Sequence, residues 1–194
     1  MPNLAGLGEP RVGMTVYPPV TVVASAALLT GAPPAVNGVE QRGTRQTAAE
    51  TMMDVAAAAG RSVVAIEGES LAFNLRGADP RLSGDRDGNG STDDNVLGNA
   101  LAAIQEGMPD LLWVHFHGID DAGHTYGQGT PEERAHVADQ DRAVGELLAH
   151  VPAGTLVIIV SDHGQHPVQE EGRLGNHGQL LAADMLIPVW VVTR

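Results

Sequence analysis

The sequence contains no cysteine, and aromatic residues make up only 3% of its 194 positions. The lack of cysteine excludes disulfides, thiolate metal ligands and cysteine nucleophiles, although it leaves the cellular compartment undecided. With so few aromatic rings, a core must be built from Ala, Val, Leu and Ile. The hydrophobic content of 43% is sufficient for such a core.

Basic residues are also scarce, since 11 Lys and Arg face 24 Asp and Glu and give a formal net charge of −13. Nucleic acids and anionic membrane surfaces repel a strongly acidic protein, so neither a nucleic-acid polymer nor a membrane surface is expected as a partner. A small anionic substrate remains compatible with this charge, because bound cations can reverse the local field.

Long apolar runs are absent as well. No stretch of the sequence is long enough to span a bilayer. Residues 1–4 have neither the basic head nor the apolar core of a signal peptide. The length fits one domain, so we expect residues 1–194 to form a single domain.

Apolar runs and helix-like segments alternate along the chain. The predicted strands are 14–17, 62–66, 111–116, 156–160 and 187–192. The predicted helices are 21–29, 47–59, 94–105 and 131–150. This alternation predicts an α/β fold with a doubly wound, mostly parallel sheet and helices on both faces. The fully apolar strand 156–160 is expected at the sheet centre, and residues 67–93, rich in Gly, Asp and Asn, are expected to be irregular.

Carboxylates and imidazoles follow two of the predicted strands. Asp120 and His124 come after strand 111–116, Asp162 and His163 come directly after strand 156–160, and His177 lies in a later loop. Ligands of doubly wound sheets bind beyond the carboxyl ends of the strands. Carboxylate oxygen with imidazole nitrogen suits zinc, with manganese as the alternative. These residues predict a site for two divalent metals, and the alternative for each histidine is a structural role.

Thr21 is the candidate nucleophile. It opens the predicted helix 21–29, where a helix N-terminus favours anion binding. A Thr hydroxyl attacks poorly unless a metal or a base lowers its pKa. The alternative is that Thr21 only caps the helix, in which case Ser25 is the next choice.

Four short strings occur in a specific order. Asp120 to Gly127 follows the pattern Asp-x-x-Gly-His-x-x-Gly, Ser161 to Gly164 reads Ser-Asp-His-Gly, and His177-Gly178 comes later. Upstream, Thr21 is followed by Leu28-Leu29-Thr30-Gly31, Pro34 and Gly38-Val39. Together the strings resemble the alkaline phosphatase superfamily, most of all its nucleotide pyrophosphatase/phosphodiesterase branch. The resemblance covers residues 3–192, and four ordered strings are far more specific than one.

The resemblance implies an alkaline-phosphatase-like enzyme that hydrolyses phosphate esters, with phosphodiesters expected before monoesters. The implied metal ligands are Asp120, His124 and His177 for one metal, and Asp162 and His163 for the other. Thr21 would attack phosphorus, and the phosphoryl-enzyme would then be hydrolysed. Phosphoglycerate-mutase-like transfer on a small phosphorylated substrate is the runner-up, because that family shares the metal strings.

The sequence also departs from the family pattern. The family has a further Asp on an upstream first strand, and that residue ligates the same metal as Asp162. Glu67, at the end of strand 62–66, is the best substitute ligand, and Glu69 is the next. Ala24 stands where the family often has a phosphoryl-binding Asn. A non-catalytic metal-binding relative therefore remains an alternative, and a homodimer would cover the apolar surface that a missing strand exposes.

A second metal site is suggested by an acidic segment inside residues 67–93. It matches the first nine positions of a calcium loop with Asp85, Asp87, Asn89, Ser91 and Asp93. Val96 stands at the twelfth position, where a calcium loop carries Glu. The alternative is a polar turn that caps the next helix.

Two further histidines lie near the candidate site in sequence. His117 comes near the end of strand 111–116, and His166 follows the Ser161 to Gly164 string. Both are expected to line the pocket.

Overall fold

The computed structural model describes residues 1–69, 73, 75–86, 88, 91–170 and 172–194. The helices are α1 Pro2–Ala5, α2 Thr21–Thr30, α3 Pro34–Asn37, α4 Met52–Ala58, α5 Asp93–Gly107, α6 Gly118–Tyr126, α7 Pro131–His150 and α8 Ala182–Met185. The strands are β1 Arg11–Met14, β2 Val63–Gly68, β3 Asp79–Ser83, β4 Leu111–Val114, β5 Leu156–Val160, β6 His166–Glu170, β7 Arg173–Asn176 and β8 Leu186–Thr193.

A parallel sheet of order β3-β2-β4 forms one half of the fold. Its central strand β2 is buried along its whole length, and its side chains alternate between two apolar clusters. Val63 and Ala65 pack in the cluster that contains α2, whereas Val64 and Ile66 pack in the cluster that contains Ala100 of α5. Helices on both faces of a parallel sheet confirm the predicted α/β class.

An antiparallel sheet of order β1-β8-β5 forms the other half. Among the described strands, β5 pairs only with β8, so it is an edge strand. The prediction of β5 as the sheet centre is therefore wrong. Its apolar composition is not matched by burial, because Leu156 is 62% and Ile158 is 60% exposed.

Helix α4 is shorter than predicted, since it begins at Met52 and not at residue 47. Thr51 and Asp54 form a reciprocal capping box, in which each side chain accepts the other's backbone N–H. Thr47 instead donates its hydroxyl to the carbonyl of Asn37. This local bond holds residue 47 in the preceding turn.

The longest helix, α7, spans 20 residues as predicted. Pro131 lies in its first turn, and the Thr130 side chain accepts from the N–H of Glu133. None of the helices in the described part of the chain has the length and apolar character needed to cross a membrane.

Candidate two-metal site

The structure brings the four strings together at one place. Asp162 and His163 directly follow β5, and His177 directly follows β7. Thr21 is the first residue of α2. Asp120 and His124 lie within α6, a helix that the sequence analysis did not predict.

Asp120, His124 and His177 form the first half of the site. Asp120 and His124 are four residues apart in α6, so they share one face of the helix. Asp120 Oδ2 lies 3.3 Å from His124 Nε2, and Asp120 Oδ1 lies 3.6 Å from His177 Nε2. One ligand atom from each of these residues lies within 4.8 Å of the others, which is suitable for a single metal ion.

Close packing of α6 against β7 holds this half together. Gly175 of β7 approaches the carbonyl of Gly123 in α6 so closely that a Cβ atom on Gly175 would clash with it. The carbonyl of Gly175 in turn accepts a 2.7 Å hydrogen bond from Nδ1 of His124. Gly123 and Gly175 therefore allow the close approach that places His124 beside His177.

Thr21, Asp162 and His163 form the second half. His163 Nε2 lies 3.2 Å from the Thr21 hydroxyl and 3.3 Å from Asp162 Oδ2. Asp162 Oδ2 is buried and has no hydrogen-bond partner. The Thr21 hydroxyl and Asp162 Oδ2 thus both lie close to His163 Nε2. Of these three residues, only Asp162 and His163 are strong metal ligands.

The three histidines share one mode of orientation. Nδ1 of His124, His163 and His177 bonds the backbone carbonyl of Gly175, Gly164 and Pro19 respectively. A bond of Nδ1–H to a carbonyl selects the tautomer whose Nε2 is free to accept a metal. In all three residues Nε2 is the nitrogen that faces Asp120 or Asp162.

The two halves are adjacent. The rings of His163 and His177 stack with their centroids 3.8 Å apart, and the His124 and His177 ring centroids are 5.1 Å apart. Burial, together with the neighbouring His163, lowers the pKa of His177 to about 4, although Asp120 opposes the shift. A neutral imidazole at position 177 is the form that binds a metal.

His117 lies beside the first half of the site, and its pocket-lining role remains a prediction. Its Nε2 is 3.2 Å from Asp120 Oδ2, and its Nδ1 is 3.0 Å from Asp121 Oδ2. Burial alone would lower the pKa of His117, but these two carboxylates raise it to about 10. Burial alone would raise the pKa of Asp120, but His117 and the other imidazoles hold it well below its usual range. Since His117 also forms a candidate metal group with Asp120 and Asp121, Asp120 lies between two sets of ligands.

Glu67 is fully buried at the end of β2, but it does not reach Asp162 or His163 through any hydrogen bond or ion pair of the described residues. Its Oε1 accepts a 2.6 Å bond from the indole of Trp113 and lies 3.8 Å from His115 Nδ1, and its Oε2 has no partner. Burial by itself lowers the pKa of His115, but Glu67 and Asp162 outweigh it, so the pKa is raised. His115 therefore lies close to both Glu67 and Asp162, and among the described residues Glu67 has no direct contact with the second half of the site.

His166 is buried in β6. Its Nδ1 lies 2.7 Å from Asp184 Oδ1, and its Nε2 is buried without a partner. Asp184 is itself fully buried and accepts from the backbone N–H of Gln179. The pair ties β6 to α8 behind the His163 segment, and the pocket-lining role of His166 remains a prediction.

The calcium prediction falls partly on residues outside the described ranges, since Asp87 and Asn89 are not among them. Asp85 Oδ1 accepts from the N–H of Gly88, and Ser91 Oγ accepts from the N–H of Asp93. The carboxylate of Asp93 accepts from the backbone N–H groups of His117 and Gly118, each at 2.8 Å. Asp93 thus links the start of α5 to the start of α6, and both the calcium loop and the alternative of a polar turn remain predictions.

Two residues at the site were missed by the sequence analysis. Gln165 donates Nε2 to the Asp120 backbone carbonyl at 3.0 Å and also to the Asp120 carboxylate. Arg42 places Nη2 3.2 Å from His177 Nε2. Gln165 directly follows the Ser161 to Gly164 string, and this position in the sequence could have indicated that it lies at the site. Arg42 lies in an irregular loop, and nothing in its neighbourhood in the sequence indicates a site.

Comparison with known families gives one match that covers nearly the whole chain. Residues 1–189 match the family described as type I phosphodiesterase / nucleotide pyrophosphatase. The chain is 34% identical over 79 residues to human ectonucleotide pyrophosphatase/phosphodiesterase family member 7, which is 38% of this chain and 17% of that protein. It is 41% identical over 70 residues to a 2,3-bisphosphoglycerate-independent phosphoglycerate mutase of a Nostoc species, which is 36% of this chain and 13% of that protein.

Solved structures share the fold at low sequence identity. Human ectonucleotide pyrophosphatase / phosphodiesterase 5 superimposes with a TM-score of 0.70 and 16% identity over 98% of this chain and 82% of that chain. Phosphonoacetate hydrolase from Sinorhizobium meliloti superimposes with a TM-score of 0.68 and 19% identity over 88% of this chain and 52% of that chain. These similarities confirm the alkaline-phosphatase-like α/β fold. The chain spans about half the length of the hydrolase, and the sequence matches cover less than a fifth of the relatives.

Proposed function

The chain belongs to the type I phosphodiesterase / nucleotide pyrophosphatase family, and from this premise we propose that it hydrolyses phosphate esters with Thr21 as nucleophile and two divalent metals as cofactors. Phosphodiesters are the first substrate class by family membership, and monoesters are the alternative. The observation that carries the proposal is the common orientation of the three histidines, whose Nε2 atoms all face the two aspartates.

The residues present fit two divalent cations. Asp120, His124 and His177 would hold the first, and Asp162 and His163 would hold the second. Zinc is the first choice for this mixed oxygen and nitrogen set, and manganese is the alternative. Bound there, the two cations would polarise the phosphoryl group and favour the ionised form of the attacking hydroxyl.

The second site needs one more protein ligand, which we assign to Glu67. Oε2 of Glu67 and Oδ2 of Asp162 are both buried without a hydrogen-bond partner among the described residues, and buried carboxylate oxygens of this kind are costly in a folded protein. Trp113 holds the other oxygen of Glu67, which leaves Oε2 free to bind a cation. A shift of the Glu67 side chain towards His163 would complete the set.

The chain's own residues account for the chemical steps. Thr21 Oγ1 forms a bond to phosphorus while the bond from phosphorus to the leaving oxygen breaks. Thr21 gives up one proton, and the departing alkoxide takes one up. Water then attacks the phosphothreonine, breaks its O–P bond and restores the Thr21 hydroxyl. Thr21 is the first residue of α2, so the backbone N–H groups of the first turn would be available to the phosphoryl oxygens.

Replacing Thr21 tests this assignment. We expect Thr21→Ala, loaded with zinc, to lose about a thousandfold or more of kcat on an aryl phosphate ester, because the nucleophile is removed. We also expect rapid quenching of the unmodified protein to trap a phosphorylated Thr21 peptide, detected by mass spectrometry. Thr193→Ala, at an exposed position of β8, is the control. Full activity of Thr21→Ala would contradict the proposal.

A non-catalytic metal-binding protein is the second candidate, and phosphoglycerate-mutase-like transfer is a third. The incomplete second half favours the non-catalytic candidate over the mutase, because only the first half has three strong ligands within 4.8 Å of each other. One bound metal per chain, with no turnover of either ester class, would support the non-catalytic role.

We further propose that the protein forms a homodimer through the face of β5. Leu156 and Ile158 are exposed on one face, and Val191 of β8 lies opposite Ile158 with 49% exposure. Exposed apolar side chains on an edge strand and on the strand beside it are the kind of surface that a second copy covers.

A further inference from the structure

Gln165 links the loop of the second metal to a proposed ligand of the first. It directly follows the Ser161 to Gly164 string, which contains the proposed second-metal ligands Asp162 and His163. Its Nε2 atom donates to the backbone carbonyl of Asp120 at 3.0 Å and also to Oδ1 of the Asp120 carboxylate. One amide group therefore holds both the main chain and the side chain of Asp120.

Gln165 can reach Asp120 because α6 carries no side chain at Gly123. This glycine lies three residues after Asp120, on the same face of the helix. A Cβ atom at position 123 would overlap the amide group of Gln165. Any residue other than glycine would therefore displace the amide from the helix surface and from Asp120.

Gln128 sets the orientation of the Gln165 amide. A backbone carbonyl only accepts hydrogen bonds, so the atom of Gln165 that bonds the Asp120 carbonyl must be the amide nitrogen. The amide oxygen then faces Gln128 and accepts a 2.8 Å hydrogen bond from its Nε2 atom. Gln128 directly follows Gly127, the residue that caps the C-terminus of α6. The series of bonds from Gln128 through Gln165 to Asp120 therefore begins and ends at the same helix.

The contacts of Gln165 are compatible with a bound cation. They engage the main-chain carbonyl and Oδ1 of Asp120, and they leave Oδ2, which lies 3.3 Å from His124 Nε2, available to the metal. A carboxylate that ligates a metal is commonly held by hydrogen bonds as well, because its two oxygens together accept several partners. The same contacts can therefore persist when the first metal is bound.

We propose that Gln165 is a positioning residue of the first metal site, which holds Asp120 by Oδ1 and presents Oδ2 to the cation. Gln128 supports it by fixing its amide. The inference rests on the proposed assignment of Asp120, His124 and His177 to the first metal. Gln165 is not itself a ligand, and it acts only through Asp120.

Zinc binding in competition with a chromophoric chelator tests the inference without any turnover, and cobalt absorbance identifies the site that has changed. We expect Gln165→Ala to weaken the first metal by about ten- to a hundredfold and the second by less than about threefold. Gln165→Met fills similar space without a donor, so it should lose as much as Gln165→Ala. Gln105→Ala, at an exposed position of α5, is the matched control and should change neither affinity.

A double replacement separates positioning from a merely structural role. Gln128→Ala alone should weaken the first metal by about two- to tenfold, and it should have no further effect in the Gln165→Ala protein, because Gln128 acts only through Gln165. Additive losses would overturn the inference. So would full first-metal affinity in Gln165→Met, or a lower melting temperature of the metal-free Gln165→Ala protein with unchanged zinc affinity.

The inference and the proposed function can fail separately. If the first metal binds in a manner that depends on Gln165 but the zinc-loaded protein hydrolyses neither ester class, the positioning role stands and the proposed hydrolysis is contradicted. If the protein hydrolyses a phosphate ester and Gln165→Met retains full affinity for both metals, the hydrolysis stands and the positioning role is contradicted.

Discussion

The two halves of the site differ in how much of their surroundings the fold provides. The first half lies between α6 and β7, two elements that pack through glycines, and its three ligands lie close enough for one metal. The second half lies between the end of β5 and the start of α2, and its proposed further ligand, Glu67, is on β2, which belongs to a different sheet from β5. Buried unpartnered atoms occur at Glu67, His115 and Asp162, all around this second half. Local packing is therefore enough to form one metal site, whereas the second depends on a junction between sheets.

The largest effect is expected when one aspartate is removed from each half in turn, which tests whether the two metal sites are independent. We expect Asp120→Asn to lower the affinity of the first metal by more than about a hundredfold, because a carboxylate ligand is lost. The second metal should remain. Asp162→Asn should do the opposite. Zinc counted per chain after dialysis is the measurement, and simultaneous loss of both metals in each variant would show that the halves are not independent.

Glu67→Gln tests whether Glu67 is the further ligand of the second metal. Replacement of an anionic ligand by an amide should weaken the second metal by about ten- to a hundredfold and leave the first unchanged. Cobalt substitution, followed by visible absorbance, reports each site separately. Glu9→Gln, at an exposed position near the N-terminus, is the matched control. An unchanged second site would leave His115 as the remaining neighbour able to act as ligand.

The sequence predicted β2, β4, β5, β8 and the long helices, and the residues named by the resemblance lie close together in the structure. It was wrong at β1, which is Arg11–Met14 and not 14–17, and at β3, which lies inside the segment 67–93 that was expected to be irregular. Asp162 and His163 follow β5 as predicted, because strand ends in α/β folds have a fixed relation to the ligand side. Helix α6 was missed because its glycines and aspartates have low helix propensity, and its formation depends on packing against β7 and α7.

Long-range contacts limited what else could be predicted. Arg42 reaches His177 across 135 residues, and no local pattern encodes such a contact. The edge position of β5 could not be predicted for a similar reason, since the sequence pattern of an apolar strand does not depend on whether one or two strands pair with it.

The smallest expected effect concerns the exposed face of β5. Ile158→Ser should shift the protein from dimer to monomer in light scattering coupled to size exclusion, because it removes apolar surface from the proposed interface. Hydrolysis rates should change by less than about twofold, since Ile158 lies away from the ligands. Val36→Ser, on α3 at 71% exposure, is the control. A monomeric unmodified protein would contradict the homodimer.

The backbone carbonyls that orient the three histidines come from Pro19, Gly164 and Gly175, and the bond from His177 to Pro19 closes a loop of 158 residues. The bond of His163 to Gly164 is local, but His124 and His177 cannot present their metal-binding nitrogens in this way until distant segments have met. The extent of metal binding therefore measures how completely the chain has folded. A chain that has formed its helices and strands but not this last closure should bind zinc weakly, and a fully closed chain should bind it more tightly.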